Sequence, residues 1–176
     1  MTAYRRNAVP GGTYFFTVNL ADRRSALLTE DIEQLRSAFR YTWRRHPFVI
    51  DAVVILPDHL HAIWTLPDGD DDFATRWRLL KSSFSRALPA GEPVSPSRSR
   101  KRERGIWQRR YWEHTIRDDD DFNRHIDYIH FNPVKHGYVR QAGDWPYSSF
   151  CRFVRLGLYP ADWATDAPAP EGCFGE

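Results

Sequence analysis

The alternation of apolar and polar residues predicts strands separated by amphipathic helices in the first part of the chain. Aromatic and β-branched residues dominate residues 13–20, which indicates a first strand. Apolar residues then recur at helical spacing after Thr29, a residue type that caps helix N-termini. Two apolar runs, 48–56 and 59–66, follow across a two-residue turn. Such a short connection predicts antiparallel pairing of these strands.

The second part of the chain continues the alternation with a longer interruption. Residues 72–88 carry an apolar stripe at helical spacing, and residues 107–116 predict a fourth strand. Between them, residues 89–105 are rich in Pro, Ser and Arg and predict a mobile basic connector. A last helix is predicted to end at Asn132, because Pro133 lacks an N–H and disfavours helix in the residue before it.

This order of elements, β-α-β-β-α-β, predicts an α+β fold of the ferredoxin-like, split βαβ type. We expect an antiparallel sheet with helices on one face, and the last helix as a C-terminal addition. The 176 residues suit one domain, predicted over 1–163, and residues 164–176 have the composition of a disordered tail.

Composition narrows the classes of protein further. Apolar residues make up 41% of the chain, which is typical of a folded globule. No run is long enough to span a membrane and no signal peptide is visible, so we expect a cytoplasmic protein. The two cysteines, Cys151 and Cys173, form neither a disulfide framework nor a zinc-ligand cluster.

Two histidines one residue apart are the first candidate for chemistry. Alternate side chains of a strand share a face, so His59 and His61 point the same way and Leu60 points oppositely. Two neutral imidazoles side by side make half of a metal site. Taken alone, such a pair on a strand is more often structural.

The last helix offers a nucleophile and a third ligand. On a helical wheel its buried stripe consists of Phe122, Ile126 and Ile129. A flank off that stripe carries His125, Tyr128 and Asn132, where a nucleophile could face a cleft. Tyr128 could attack a phosphodiester with the help of a divalent cation held by His59, His61 and the Asn132 amide oxygen. This donor set suits Mg²⁺ or Mn²⁺.

Other residues compete for these roles. Tyr111 and Tyr138 are rival nucleophiles, although neither has a ligand partner at helical spacing. Four more histidines could bind a metal in other arrangements: His114, His125, His130 and His136. His130 lies on the flank away from Tyr128, which favours a structural role.

A local basic block is the candidate DNA contact, although the net charge of the chain is only +2. Its cations are Arg98, Arg100, Lys101, Arg102, Arg104, Arg109 and Arg110, against one acidic residue, Glu103. Such a block can neutralise phosphates, whereas the simpler interpretation is a solvated loop. Trp107 lies within the block and could stack on unpaired bases. Lys135, beyond the predicted end of the last helix, joins the predicted DNA contacts.

Taken together, the motifs resemble a known family. The segment PDHLH at 57–61 resembles the His-hydrophobe-His element of the HUH endonuclease superfamily. With WQRRYWEH at 107–114, YIHFNPVKHG at 128–137 and WPYSS at 145–149, the chain resembles the REP-associated tyrosine transposases. These motifs fall within a similarity that covers residues 13–153.

The resemblance implies a ferredoxin-like nuclease core with a divalent metal, Mg²⁺ or Mn²⁺. It implies that Tyr128 attacks single-stranded DNA, leaving a 5′-phosphotyrosine and a free 3′-OH, and that palindromic repeats are bound as hairpins beside a guide sequence. His59 and His61 match the metal ligands. Asn132 departs from the glutamine usual in insertion-sequence relatives.

Two other functions remain open from the residues. A ferredoxin-like sheet with aromatic residues could be a non-catalytic nucleic-acid-binding module. Alternatively, His59, His61 and another histidine could form a zinc hydrolase. The sequence is compatible with a monomer or a homodimer.

Overall fold

The computed structural model describes residues 7–92 and 94–164, and its centre is a four-stranded antiparallel sheet. Its strands are β1 (Thr13–Asn19), β2 (Val49–Ile55), β3 (His59–Thr65) and β4 (Trp112–Thr115). Their order across the sheet is β2-β3-β1-β4. This is the split βαβ arrangement, so the predicted ferredoxin-like α+β fold is confirmed.

Helices cover both faces of this sheet. They are α1 (Leu27–Glu30), α2 (Ile32–Arg45), α3 (Phe73–Ala87), α4 (Pro96–Arg100), α5 (Asp119–Lys135) and α6 (Phe150–Arg155), with a 3₁₀ turn at Ala142–Asp144. Helices α2 and α3 pack on one face, where Trp64 of β3 stacks on Trp77 of α3 at 4.1 Å. Helix α5 packs on the other, against Phe15 and Ile63. The C-terminal addition therefore forms a third layer.

The predicted start of the long helix and the predicted extent of the fourth strand differ from the structure. Thr29 is not the N-cap of the long helix: it lies inside α1, where its hydroxyl donates to the Ala26 carbonyl, and α2 starts at Ile32. The fourth strand is shorter than predicted. Trp107 makes only an isolated bridge to Leu20, and its ring packs into the core beside Phe84, at 5.5 Å. Packing against α3 therefore diverts the chain before β4 begins.

The predicted end of the last helix at Asn132 is wrong, because α5 continues through Pro133 to Lys135. A proline removes one intrahelical hydrogen bond and crowds the preceding turn, which disfavours but does not forbid a helix held by packing. Here Asn132 and Pro133 are both buried. The helix ends instead before Gly137, whose φ of +71° suits a residue without a side chain.

The connector between α3 and β4 is more ordered than predicted. Ser95 caps the short helix α4 by accepting from the Arg98 N–H. Arg104 pairs with Glu92 at 2.6 Å and donates to the carbonyls of Leu88 and Pro89. The hydrogen bond from Arg104 lowers the pKa of Glu92 to about 2. The expected mobile linker is thus clamped to the end of α3.

Two expectations from the sequence concern membrane spans and the C-terminal tail. Among the described residues, no helix has the length and apolar character needed to cross a bilayer. Of the predicted tail, Ala164 is buried, and residues 165–176 lie outside the described residues.

Candidate active site

The histidine pair lies at the start of β3 on the face that α5 covers. His59 and His61 point the same way, as predicted, and their ring centroids are 5.0 Å apart. Both side chains are buried, at 1% and 0% exposure. In the register of the sheet, His59 pairs with Asn19 and His61 with Thr17.

Each imidazole is oriented through its Nδ1 atom. Asp58 Oδ1 lies 2.8 Å from His59 Nδ1, and Thr17 Oγ1 lies 2.9 Å from His61 Nδ1. Burial alone would raise the pKa of Asp58, but the hydrogen bond from His59 and the charge of Arg23 hold it below its usual value. Contacts of this kind fix the ring of a metal-binding histidine and direct Nε2 to the ion. The donor set therefore fits a divalent cation bound through Nε2 of both rings.

Tyr128 of α5 reaches the same place from above the sheet. Its ring centroid is 5.1 Å from that of His61, with the ring planes 74° apart. Phe15 of β1 packs against both rings, at 6.1 Å from Tyr128 and 5.5 Å from His61. The predicted nucleophile thus lies on the same side of the sheet as the two histidines predicted as ligands, and it contacts one of them, His61.

The flank that carries Tyr128 is not off the core, which corrects the helical-wheel expectation. Tyr128, Asn132 and His125 are 2%, 0% and 5% exposed. The sheet is broader than one helical stripe, so Phe15 and His61 fill the space under the flank as well. The flank is therefore part of the helix–sheet interface.

Lys135 lies at the hydroxyl end of Tyr128. Its ammonium Nζ is 3.3 Å from Tyr128 Oη and 4.9 Å from the ring centroid. Lys135 itself is exposed. Because an exposed side chain reaches Oη, the hydroxyl points towards the surface even though the ring is buried.

A second group of metal-type donors lies further along α5. His114 of β4, Asp121 and His125 have ligand atoms within 4.8 Å of one another and could hold a metal ion. The Asp121 carboxylate already accepts from His114 Nε2 at 2.8 Å and from the Arg117 N–H at 3.1 Å. Burial alone would raise its pKa, but these hydrogen bonds hold the pKa well below its usual range. We interpret the group mainly as the anchor of α5 on β4.

A small cavity opens beside His59. It has a volume of about 260 Å³ and its lining includes Arg23, Arg24, His136 and Tyr138. The ring of His136 is 5.3 Å from that of His59. Cations and aromatic rings together suit a nucleotide, through its phosphate and its base.

The basic block contributes to a groove along α3. Two adjoining cavities of about 570 and 430 Å³ share Lys81, Ser82 and Arg109. We call this the basic groove, and its cations are Arg78, Lys81, Arg86, Arg102, Arg104 and Arg109. Three of the predicted DNA-contacting cations, Arg102, Arg104 and Arg109, therefore line it.

The remaining predicted DNA contacts are less suited to that role or lie elsewhere. Trp107 borders one of the two cavities but is packed into the core at 6% exposure, so its ring is not placed for stacking on a base. Arg98 donates to the Trp107 carbonyl at 3.0 Å. Arg100, Lys101 and Arg110 are exposed outside the lining of the groove.

The basic groove and the histidine pair lie on opposite faces but at the same end of the sheet. Gln108, which lines the groove, donates from its N–H to the Asn19 carbonyl at 2.9 Å. Asn19 in turn pairs with His59 in the register of β1 and β3. The groove and the histidine pair are therefore joined through Asn19 at this end of the sheet.

The competing residues of the sequence have other surroundings. Tyr111 packs against the core on the α3 face, away from the histidine pair. His130 is fully buried, 3.0 Å from Ser149 Oγ, and burial lowers its pKa to about 3. Thr17 and Phe15 were missed as site residues, because strand register is not visible in the sequence.

Comparison with known proteins adds evidence independent of the geometry. No protein-family model matches the chain. The chain is 51% identical over 166 residues to the REP-associated tyrosine transposase of Escherichia coli K12. This match covers 94% of this chain and 93% of that protein. A Haemophilus influenzae relative named for the same family is 51% identical over 164 residues, 93% of each chain. A solved structure of a REP-associated tyrosine transposase bound to a REP hairpin superimposes with a TM-score of 0.87 and 49% identity, covering 100% of this chain and 98% of that one.

Proposed function

Because this chain belongs to the family of REP-associated tyrosine transposases, we propose that it cleaves single-stranded DNA beside a palindromic repeat hairpin, with Tyr128 as nucleophile. The product would be a 5′-phosphotyrosine and a free 3′-OH. The observation that carries the proposal is the contact of Tyr128 with His61, at 5.1 Å between ring centroids. It brings the nucleophile to two side chains suited to hold a cation at the phosphate.

The residues of the chain divide the work of this reaction. His59 and His61 would hold Mg²⁺ or Mn²⁺, with Asn132 as a third ligand one helical turn beyond Tyr128. When bound, such an ion polarises a phosphoryl oxygen. Asp58 and Thr17 orient the two imidazoles, and Phe15 supports the rings from below. Tyr128 Oη attacks phosphorus, and the 3′ oxygen leaves.

The hairpin and the single strand would occupy different surfaces. We propose that the stem lies in the basic groove along α3, where exposed arginines neutralise its phosphates. The single strand would cross the end of the sheet at Asn19 and enter the cavity beside His59. There, Arg23 and Arg24 can meet a phosphate and Tyr138 a base.

The direct test is a covalent adduct. A hairpin oligonucleotide with a single-stranded flank, taken from a palindromic repeat of the source genome, is labelled on either the 5′ side or the 3′ side of the cleavage site. It is then incubated with the protein and Mn²⁺. A denaturing gel should show a shifted protein band with the 3′ label only. Tyr128→Phe should abolish the band, and a chelator should do the same to the wild-type protein.

Tyr111→Phe is the matched control, because it removes a hydroxyl from a rival tyrosine and keeps the ring. It should form the adduct at the wild-type rate. An adduct that persists in Tyr128→Phe would contradict the assignment of the nucleophile. Hairpin binding with no adduct from the wild-type protein would instead favour a binding module, and cleavage by zinc-loaded Tyr128→Phe would favour a hydrolase.

A further inference from the structure

We propose that Lys135 is a catalytic residue, which stabilises negative charge on Tyr128 Oη while the tyrosine attacks DNA and while it leaves. This inference rests on the proposed function and assigns a role beyond a DNA contact. It starts from the 3.3 Å distance between Lys135 Nζ and Tyr128 Oη. The same ammonium lies 4.9 Å from the centroid of the tyrosine ring.

The path of α5 explains why these two residues meet. Positions i and i+7 of a helix are two turns apart on one face, so Lys135 follows Tyr128 only if the helix is continuous. The structure carries α5 through Pro133 as far as Lys135. If the helix ended at Asn132, as the sequence predicts, helical spacing would not bring Lys135 to the hydroxyl of Tyr128.

Negative charge develops on Tyr128 Oη in both cleavage and strand transfer, so the Lys135 ammonium can act in both steps. In cleavage the phenol loses its proton to water, the Oη–P bond forms, the bond from phosphorus to the 3′ oxygen breaks, and that oxygen takes a proton from water. In strand transfer an incoming 3′-OH loses its proton to water and bonds to phosphorus, the bond from phosphorus to Oη breaks, and Oη takes a proton from water. The ammonium 3.3 Å from Oη stabilises the negative charge that develops on this oxygen as it attacks in the first step and as it leaves in the second.

Two other tasks for Lys135 predict different kinetics. If Lys135 only gripped a DNA phosphate, its loss would weaken binding of hairpin and flank without changing the rate at saturation. If it protonated the departing 3′ oxygen, a better leaving group would remove the need for it. Stabilisation of charge on Oη predicts a slower chemical step that a better leaving group does not repair.

The experiment compares the full-length wild-type protein with Lys135→Met, which keeps an unbranched apolar stem and removes the charge. Single-turnover cleavage is measured at saturating hairpin substrate, with a natural phosphodiester and with a 3′-bridging phosphorothiolate at the scissile position. We expect a rate about 10²-fold lower than wild type with both substrates, by analogy with the loss of one donor to a developing anion. Hairpin affinity should change by less than the rate.

A matched control removes a similar contact elsewhere. Arg45 lies 3.9 Å above the ring of Tyr41, on a surface of α2 away from Tyr128, so Arg45→Ala should cleave at the wild-type rate. Lys135→Arg keeps the charge and should cleave at close to the wild-type rate. This variant also tests the role of the charge if Lys135→Met does not fold. Reversal of the purified adduct by a 3′-OH strand should be slowed by Lys135→Met to a similar degree.

Several results would overturn this role. An unchanged rate, a defect confined to affinity, or a defect that disappears with the phosphorothiolate would each reject it. A wild-type protein that forms no adduct would reject the proposed function itself. A wild-type adduct combined with a normal rate in Lys135→Met would reject only the inference about Lys135.

Discussion

The basic groove makes a quantitative prediction about the salt dependence of hairpin binding. Arg78, Arg86 and Arg102 line it and are exposed. The perturbation is the triple variant in which these three become Gln. Lys81 and Arg104 are left intact, since each also holds the fold through a carbonyl of the chain.

The magnitude follows from counterion release. Each cation that neutralises a phosphate of a duplex stem contributes about 0.9 to the slope of log affinity against log salt. Three such contacts give about 2.7, so doubling the salt should weaken the wild-type complex about six-fold more than the triple variant. A surface without phosphate contacts would contribute nothing to this difference.

Fluorescence anisotropy of a labelled hairpin over a series of KCl concentrations measures both slopes. The matched control converts Arg40, Arg44 and Arg45 of α2 to Gln, removing the same charge away from the groove. The control should keep the wild-type slope. Equal slopes for the wild-type protein and the groove variant would refute the location of the stem in the basic groove.

Two further predictions concern stability. Arg104→Ala should lower the free energy of unfolding by about 1–3 kcal/mol in urea titrations, because it removes the hydrogen bonds from Arg104 to Glu92 and to three carbonyls around the end of α3. The exposed Arg100→Ala should change this free energy by less than about 0.5 kcal/mol. Burial lowers the pKa of His130 to about 3 in the folded protein, whereas the unfolded value is about 6.5. The neutral ring therefore contributes its full share of the free energy of unfolding above pH ~6.5. This contribution falls by about 1.4 kcal/mol per pH unit as the pH drops towards 3. Urea titrations at several pH values should show that His130→Leu lacks this dependence of the unfolding free energy on pH, whereas Ser149→Ala keeps it. The same pH dependence in His130→Leu and in the wild-type protein would contradict its assignment to His130.

The sequence predicted the elements whose signal is local. Alternation along β3 placed His59 and His61 on one face, and the helical spacing of α5 placed Tyr128 and Asn132 one turn apart. These periodicities are properties of the backbone and do not depend on what packs against it. The fold followed from their order, because short connections leave few topologies.

What the sequence could not predict depends on contacts between distant segments. Thr17 meets His61 through the register of β1 and β3, which is set by pairing across the sheet and not by either strand alone. Trp107 looked available to bases because of its basic neighbours, yet it packs against Phe84 of α3. The course of α5 through Pro133 is a case in which tertiary packing overrides a local preference.

The burial of Tyr128 changes how the site must work. A tyrosine ring held between α5 and the sheet has little freedom to swing, so in the proposed reaction the phosphate would have to come to Oη. That atom lies within reach of the exposed Lys135. The groove along α3 is on the other face, and it is joined to the histidine pair at the end of the sheet where Gln108 meets Asn19. A hairpin fixed in the groove would then set how many unpaired nucleotides separate the stem from Tyr128. If the flank is lengthened or shortened at its free end, the number of nucleotides between the stem and the cut should stay constant. The number between the cut and the end of the flank should change by the number added or removed. A sequencing ladder of the cleaved strand would resolve both distances.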